Sequence, residues 1–475
     1  MKCLFIEMPS MPRGDRLPFY DEVLAPARKQ IRHHKKGSDV NPSYPTQSPP
    51  PVYSLGLLLL ASAIAEAGMM ADYVVLSSND ILDHDSITTA LAARLDGVKV
   101  VCLGPTTPQV EQMVRIASTV KRISPNCRIV VGGSHVSAAP DDLLKYQCVD
   151  ALIVGPGENA LVRYCLYACH EAVSSTRSTS STYANMSPEI IQEDPVQTTP
   201  STTLTAALHL LPSLDFRPYT MCTWGCRFSC RFCAEGARFK KYSYRSPSAI
   251  KAELDIISRQ FPSSTVHFAD SCFPISSVKY LRAIEESDIR GFEVNLRASD
   301  DFDDETLKTA VRSGLKSICI GVETVDEVIL RSMNKFYSYS ALKANLRTAR
   351  TSGIRTIKAY WLFGYPGETI PSILRSLEKI WELLDEGLID DVYTKCFVPY
   401  PGTFPDKILE EKGGRVYSHE WRNYHRRTFP PVCSYESLTG IELYSAWLLS
   451  EAIRTAAISR KQESLNALND WCMNW

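Results

Sequence analysis

The first 170 residues alternate short apolar runs with longer stretches of helical pattern. The short runs fall at Cys3–Ile6, Tyr73–Leu76, Val98–Leu103, Arg128–Val131 and Ala151–Val154, with the length of buried strands. Between them, Leu55–Ala67, Ile87–Leu95, Gln109–Ile123 and Asp141–Tyr146 read as helices. Strand and helix in alternation predict an α/β domain, a doubly wound parallel sheet of Rossmann-like form with its ligand face at the strand C-termini. The stretch from Pro9 to Pro51, rich in Pro and basic residues, follows the first strand and reads as a long loop over that face.

Between 171 and 205 the chain turns to Ser, Thr, Gln and Pro with few apolar positions, the composition of a flexible linker. Beyond it the alternation resumes. Candidate strands at Val266–Ala269, Glu293–Arg297, Ser317–Val322, Lys358–Phe363 and Tyr393–Val398 are separated by helical stretches near Ser246–Gln260, Ser277–Ser287, Asp304–Ser313, Ser340–Ser352 and Ile370–Glu386. About six βα units in succession fit a partial (β/α)6 barrel of TIM type better than a second open sheet, which puts catalytic groups at the strand C-termini. The tail is aromatic, with Trp421, Tyr424, Tyr444 and Trp447, and reads as a helical cap. The expected domains are therefore 1–170, a linker at 171–205, a barrel at 206–405 and a C-terminal cap at 406–475.

Composition changes this picture little. At about 150 residues per domain, a chain of 475 residues holds two to three domains. With 44% hydrophobic and 22% charged residues and a net charge of −1, it has the make-up of an ordinary globular protein. No global charge favours nucleic acid or an acidic membrane as partner. Leu55–Ala67 contains Ser62 and Glu66 and falls short of the roughly 20 apolar residues that span a bilayer. Nor does the N-terminus read as a secretory signal. Fifteen cysteines, several inside apolar strand-like runs, point to reduced thiols in the cytoplasm rather than to a disulfide scaffold.

Four of those cysteines stand within residues 222–233, and Cys226, Cys230 and Cys233 follow a Cys-x-x-x-Cys-x-x-Cys spacing. A single turning loop then converges three thiolates on a soft metal centre, which suits an iron–sulfur cluster with one iron left open. Two alternatives stand beside this reading. A structural zinc site wants four closed ligands, and no second Cys pair or His partner is evident. Cys222, four residues upstream, would close the cluster as a fourth ligand and turn it toward electron transfer.

Gly225-Cys226-x-x-x-Cys230-x-Phe232-Cys233 resembles the signature of radical S-adenosylmethionine (radical SAM) enzymes. Further matches follow in order: His267-Phe-Ala-Asp270, Leu296-Arg297, Gly321-Val-Glu323 with Met333-Asn334-Lys335, Gly364-Tyr-Pro-Gly-Glu368, and Pro399-Tyr-Pro-Gly402. That order is similar to the cobalamin-dependent branch of the family. In the first domain Ser54-Leu55-Gly56, Gly104-Pro-Thr106-Thr107, Gly132-Gly133-Ser-His135 and Gly155-Pro-Gly157-Glu158 look like the loops of its cobalamin-binding domain. Glycine at a strand end lets the backbone approach a large flat ligand closely.

The resemblance implies a cytoplasmic methyltransferase with a [4Fe–4S] cluster, S-adenosylmethionine and methylcobalamin, served by an external electron donor of flavodoxin or ferredoxin type. Its substrate would be a small specialised metabolite, methylated at an unactivated carbon or phosphorus as in natural-product biosynthesis. Ring closure, rearrangement or oxidation with the same cofactors is a second enzymatic reading. An iron–sulfur electron carrier or a cobalamin sensor is the non-enzymatic one.

By the same resemblance Cys226, Cys230 and Cys233 hold the cluster, and Phe232, Asp270, Arg297, Glu323 and Gly364 line S-adenosylmethionine. Ser54, Leu55, Gly56, Thr106, Thr107, Gly132, Gly133, His135, Gly155 and Glu158 line cobalamin. Plainer roles compete at several positions. Asp270 also suits a helix N-cap or a partner for Arg297, and Glu323 a pair with a neighbouring Lys or Arg. No Asp-x-His-x-x-Gly is present, so His135 is equally a loop histidine bonded to backbone. Gly364–Glu368 reads as a turn beneath the adenine, and the basic run Lys29–Lys36 as a solvated face or a contact for phosphate in the cobalamin tail. The aromatic tail serves packing or substrate enclosure.

Overall fold

The computed structural model describes residues 1–9, 53–174, 187–192, 204–211, 217–239, 241–299, 303–403, 409, 411–425 and 431–459. The expected loop after the first strand, with its basic run, and most of the Ser/Thr-rich stretch lie outside the described residues.

In the first unit β1 (Lys2–Glu7), β2 (Met70–Val75), β3 (Val98–Leu103), β4 (Arg128–Val131) and β5 (Ala151–Val154) form where the apolar runs place them. A sixth strand, β6 (Glu189–Gln192), was expected to be linker. It is mostly exposed and is held by parallel pairing with β5, and its only apolar positions are Ile190 and Ile191, too short a run to stand out within the Ser/Thr-rich stretch. The sheet is parallel throughout, in the order β2-β1-β3-β4-β5-β6. The order reverses between β1 and β3, where doubly wound sheets open a crevice beyond the strand C-termini. Helices Leu55–Glu66, His84–Leu91, Val110–Ile123 and Glu158–Ser174 lie between strands, whereas the expected helix at Asp141–Tyr146 is a short 3-10 turn, Pro140–Leu143.

The second unit begins with β7 (Tyr219–Thr220), then a short antiparallel pair, β8 (Thr223–Trp224) and β9 (Ser243–Tyr244). There follow β10 (Val266–Phe268), β11 (Phe292–Arg297), β12 (Leu315–Glu323), β13 (Thr356–Phe363) and β14 (Asp391–Cys396). Six strands in the order β14-β13-β12-β11-β10-β7, all parallel, give the expected partial barrel. The crossover helices start where the sequence supplies a cap: Ser246, Asp303, Ser338 and Thr369 each accept an amide of the first turn.

Alternate strand positions divide sharply. Phe268, Val294, Ile320, Ala359 and Trp361 are buried under the helices, while the opposite positions are mostly polar, with His267, Asn295, Lys358, Tyr360, Tyr393 and Lys395 half-buried and Glu293 and Ser317 buried. The C-terminal segment is less helical than expected. It holds an antiparallel pair, β15 (Gly414–Val416) and β16 (Cys433–Tyr435), and a 3-10 turn at Trp421–Asn423 before the long helix Gly440–Ser459. That helix packs on Ile370–Asp385 and β14, where Arg454 pairs with Asp391 (2.5 and 3.0 Å). No helix among the described residues is long and apolar enough to cross a membrane.

One apolar core runs through both units. It passes from Phe5, Leu58 and Ile64 through Leu208 to Phe268, Val294 and Trp361, while a second core lies on the other face of the first sheet. Tyr53 adds a polar tie. Its hydroxyl donates to Tyr219 O (3.1 Å) and accepts from Tyr219 N (2.8 Å), so it occupies the main-chain groups on the outer edge of β7.

Tyr53→Phe leaves both of those backbone groups without this partner and is expected to cost about 1–3 kcal/mol in urea unfolding. A pH effect comes from the turn after β13. Gly364 there has φ +83° and stands against Leu443, and Glu368 accepts from the amides of Gly364 (2.6 Å) and Tyr365 (3.3 Å). Burial nevertheless pushes the Glu368 carboxyl up to about 8. The folded protein keeps this proton to about pH 8, whereas an unfolded chain releases it near the ordinary value of about 4.3. The stabilisation is complete below the unfolded value and is lost as pH rises through the folded one. Wild type should therefore lose up to about 1.4 kcal/mol per pH unit relative to Glu368→Gln across that window, measured by urea unfolding at pH 5.5–8.5.

Candidate active site

Gly225 opens the cysteine loop with φ +75°. A Cβ there would lie 3.1 Å from both Lys241 O and Phe239 Cβ, so the position requires glycine. The amide of Cys233 donates to Cys230 O (3.1 Å) and closes a turn between the last two cysteines. A second turn, following helix Glu327–Ser332, forms the seat of this loop. The Arg231 amide donates to Met333 O (3.1 Å), and Asn334 Nδ2 donates to Ser229 O (3.1 Å) and Oγ (2.8 Å). Asn334 itself has φ +61°, a conformation that Asn tolerates better than most residues.

Burial pushes all three thiols up, Cys233 to about 11, and neighbouring thiolates add to this at Cys226 and Cys233. Arg297 opposes the shift at Cys226, and Lys335 and Arg297 oppose it at Cys230. No group of three or more His, Cys, Asp or Glu side chains gathers around a single ion among the described residues. Three soft donors on one loop, close enough to feel each other's charge, instead fit a cluster in which each thiolate takes its own iron. Cys222 does not join them. Its thiol is fully buried and is pushed well up by that burial, with Asp270 and Glu253 beside it. The fourth-ligand reading thus lacks its ligand.

On the inner side of the loop, Lys335 is 2% exposed. Its ammonium donates to Glu323 Oε1 and to Gly321 O (both 2.8 Å) and lies 5.6 Å from the centroid of Phe232. Glu323 has φ +69°, a strain of about 1–3 kcal/mol for a residue with a side chain. Gly321 makes room for the pair, since a Cβ there would lie 2.7 Å from Glu323 Oε1. Glu323 is therefore an ion-pair partner, and it sits at the end of β12 beside the cluster loop. Arg297 donates to Asn334 O (2.7 Å), and its guanidinium carbon lies 4.2 Å from the centroid of Phe228.

Asp270 is bound elsewhere and is neither an Arg297 partner nor a helix cap. Its oxygens accept from the Cys222 amide (3.1 and 3.0 Å) and from Thr223 Oγ1 (2.5 Å), while burial pushes its carboxyl up to about 6. It holds the chain leading into the loop.

The polar strand face holds groups that motif matching did not mark. Glu293 accepts from Arg217 (2.5 Å), His267 Nδ1 (3.0 Å) and Lys358 (2.6 Å). Burial would raise its carboxyl, but these bonds and the two fixed cations hold it well below the usual range. Further along that face stand Asn295, Tyr360, Tyr393 and Lys395, with the Lys395 ammonium 4.6 Å from the Tyr360 ring centroid. The signal was in the sequence: Glu293-Val-Asn295-Leu-Arg297 alternates polar and apolar positions where a strand covered on both sides would not.

At the C-terminal edge of the first sheet the glycine-bearing loops meet. Gly133 (φ +95°) and Gly155 (φ +86°) use the left-handed region, and a Cβ on Gly133 would lie 3.5 Å from the Gly104 backbone. Ser54 caps the helix that begins at Leu55 and runs through Gly56, and its amide donates to Glu7 Oε2 (2.8 Å). Gln109 Oε1 accepts from the Thr106 amide and hydroxyl (3.0 and 2.6 Å). Gly132 directly follows β4, and buried Glu158 begins a helix after β5. Close-packed glycine loops at a switch point form a cradle that suits a large flat ring, and these residues fit a corrin.

His135 is fully buried, with Nδ1 3.3 Å from Thr107 Oγ1 and its ring edge-on to Trp421 at 5.2 Å. Its Nε2 is buried without a hydrogen-bond partner, and burial lowers its pKa to about 4. It is a neutral histidine in the short helix Ser134–Ala138, set against a threonine hydroxyl rather than bonded to backbone in a loop, with Asp142 Oδ2 3.9 Å from its Nε2. Trp421, expected only as tail packing, brings the C-terminal segment onto this edge, and Arg422 adds an ion pair with Glu111 (3.5 Å).

Comparison with known proteins agrees with this geometry. Residues 221–380 match the family described as the radical SAM superfamily, and residues 46–164 match the B12 binding domain. An uncharacterized methyltransferase of Pyrococcus horikoshii is 23% identical over 381 residues, covering 76% of this chain and 78% of the relative. An anaerobic magnesium-protoporphyrin IX monomethyl ester cyclase of Cereibacter sphaeroides is 23% identical over 436 residues, covering 86% and 67%. Among solved structures, the radical S-adenosylmethionine methyltransferase TsrM of Kitasatospora setae, with cobalamin and a [4Fe–4S] cluster bound, superposes with a TM-score of 0.62 at 16% identity, covering 96% of this chain and 89% of that one. The chain is a member of the radical SAM superfamily, in the branch that carries a B12 binding domain ahead of the barrel and uses a [4Fe–4S] cluster, S-adenosylmethionine and cobalamin.

Proposed function

We propose that the protein is a cobalamin-dependent radical SAM methyltransferase that methylates an unactivated carbon or phosphorus of a small specialised metabolite. The observation that carries this reading is the joining of the two sites by one core: a three-thiol loop over a polar barrel face, and a corrin cradle fixed beside it. When bound, the cofactors supply a carbon-centred radical from S-adenosylmethionine and a methyl group from the corrin.

The chain's own residues then divide the work. Cys226, Cys230 and Cys233 would hold the cluster. Glu323, held in place by the Lys335 ammonium, presents its side chain to the ribose of S-adenosylmethionine, and Phe232 and Gly364 shape the surrounding walls. Arg297, fixed by Asn334, faces the same region. Gly104, Gly133 and Gly155 let the backbone approach the corrin, with Thr106 and Thr107 at the rim. Asn295, Tyr360, Tyr393 and Lys395 on the polar strand face form the substrate wall, where aromatic rings and polar groups orient a small molecule.

Ring closure without methyl transfer is the second reading, favoured by the match to a cyclase over 86% of this chain. Methyl-labelled S-adenosylmethionine separates the two. Anaerobic holoenzyme incubated with candidate metabolites should form 5′-deoxyadenosine and a product carrying the label. Formation of 5′-deoxyadenosine with an unlabelled product would select the cyclisation reading. Loss of any of the three cysteines to Ala should abolish both signals and remove the iron while leaving cobalamin binding intact.

Lys335→Met should leave the Glu323 carboxylate half-buried without its cation. A loss of about 3–5 kcal/mol in stability is expected in urea unfolding. At least a ten-fold loss of S-adenosylmethionine affinity should accompany it in equilibrium dialysis of the reconstituted protein.

A further inference from the structure

We propose that the far end of the barrel's polar face is an anion subsite, where Arg217 and Lys358 take a carboxylate or phosphate group of the substrate. This inference deepens the proposed function and rests on it, since it presumes that the substrate lies along that face.

The face has two ends. At the C-terminal ends of the strands stand Arg297 and Glu323, beside the cysteine loop. Glu293 lies four residues back along β11, about 13 Å away at roughly 3.3 Å per residue. His267 on β10 and Ser317 on β12 are in register with Glu293, so all three share the side turned away from the helices. Lys358 joins them from β13, where it pairs with Cys319 beside Asn295.

Charge does not balance at this end. Glu293 accepts from Arg217 (2.5 Å), Lys358 (2.6 Å) and His267 Nδ1 (3.0 Å), so one carboxylate serves two fixed cations. Neither cation has a second acidic partner among the described residues. Asp391, in register with Lys358, is held by Arg454 (2.5 and 3.0 Å), and Glu451 lies against the same guanidinium (3.6 Å). A purely structural pair needs one cation per acid, as Lys335 and Glu323 show. Here one positive charge is left over in a half-buried place, where an anion is favoured beside it.

Donors are left over as well. Arg217 reaches Glu293 through Nη2, and Lys358 gives it one of three ammonium protons. Their side chains keep 33% and 23% of their exposure, so both still border open space. Ser317 Oγ, in the row of Glu293, is buried without a hydrogen-bond partner. A guanidinium, an ammonium and a hydroxyl make a donor set suited to carboxylate or phosphate oxygens. Between the two ends Tyr360 and Tyr393 stand with ring centroids 5.8 Å apart, a wall for a flat or apolar middle. The substrate class is therefore a molecule about 10–13 Å long, anionic at one end and methylated at the other.

The test uses reconstituted holoenzyme without reductant and three probes of similar shape: 4-phenylbutyrate, its neutral amide 4-phenylbutyramide, and 3-phenylpropyl phosphate. Isothermal titration gives their affinities. Wild type should bind at least one anion about ten-fold or more tighter than the amide, and the tighter anion identifies the group. Lys358→Met leaves Glu293 balanced by Arg217 and should bring anion and amide within about two-fold, whereas Lys358→Arg should keep the preference. Glu293→Gln removes the competing acid and should tighten the anion about three-fold or more, where a merely structural ion pair predicts weaker binding. Wild type that prefers neither anion overturns the proposal. So does a Lys358→Met protein of normal iron and cobalamin content that keeps the preference, and so does weaker anion binding in Glu293→Gln, which is read whether or not Lys358→Met folds. Wild type that forms no 5′-deoxyadenosine with S-adenosylmethionine and a reductant would instead refute the proposed function, whereas missing anion preference in wild type that does form it refutes this inference alone.

Discussion

The site is organised around one buried ammonium. Lys335 reaches back from the turn after helix Glu327–Ser332 to the end of β12, where it neutralises Glu323 and bonds Gly321 O. Without that cation the left-handed backbone of Glu323 would carry both its own strain and a poorly solvated carboxylate. The residue beside it, Asn334, seats the cysteine loop and receives Arg297. Three elements distant in sequence, the loop, β11 and β12, are thus referred to two adjacent residues. Phe232 lies against the same ammonium, so the aromatic residue of the cysteine motif is placed by the charge that places the carboxylate.

A second constraint acts at the scale of the whole chain. The two parallel sheets share an apolar core, and Tyr53 bonds the outer edge of β7 while Trp421 closes the opposite approach on His135. The corrin cradle and the cysteine loop therefore do not move as independent domains on a linker. Cofactors held at the two sites would therefore be kept in a set relation by the protein core rather than by a linker.

Much of this was legible in the sequence, and what was not has a common physical origin. Core strands such as β3, β4 and β5 lie at the predicted residues because burial on both faces makes their apolar runs continuous. Crossover helices begin at Ser246, Asp303, Ser338 and Thr369 because a cap is a local device. β6 and β7 escaped notice because one offers only two apolar residues, largely exposed at a sheet edge, and the other is two residues long. The cysteines were plain because their spacing is local. The pairings that give them meaning, Lys335 with Glu323, Arg297 with Asn334 and Asp270 with the Cys222 amide, join separate elements, and composition records only that such groups exist.

The fate of the alternatives at each position follows the same logic. Asp270 and His135 were offered as cofactor contacts or as structural groups, and both are fully enclosed by protein, one by main-chain and hydroxyl donors and the other by a threonine and an indole. Glu323 differs, since it is an ion-pair partner that stays partly exposed at a strand end. Burial with both carboxylate oxygens bonded marks Asp270 as a group that shapes the site, whereas partial exposure on the polar strand face leaves a group able to touch a ligand. By that measure Asn295, Tyr360, Tyr393 and Lys395 stand nearer the chemistry than Asp270, although no motif named them. Along β11, β13 and β14 the apolar half of each strand is committed to the helices, which leaves the polar half as the surface a bound molecule can meet.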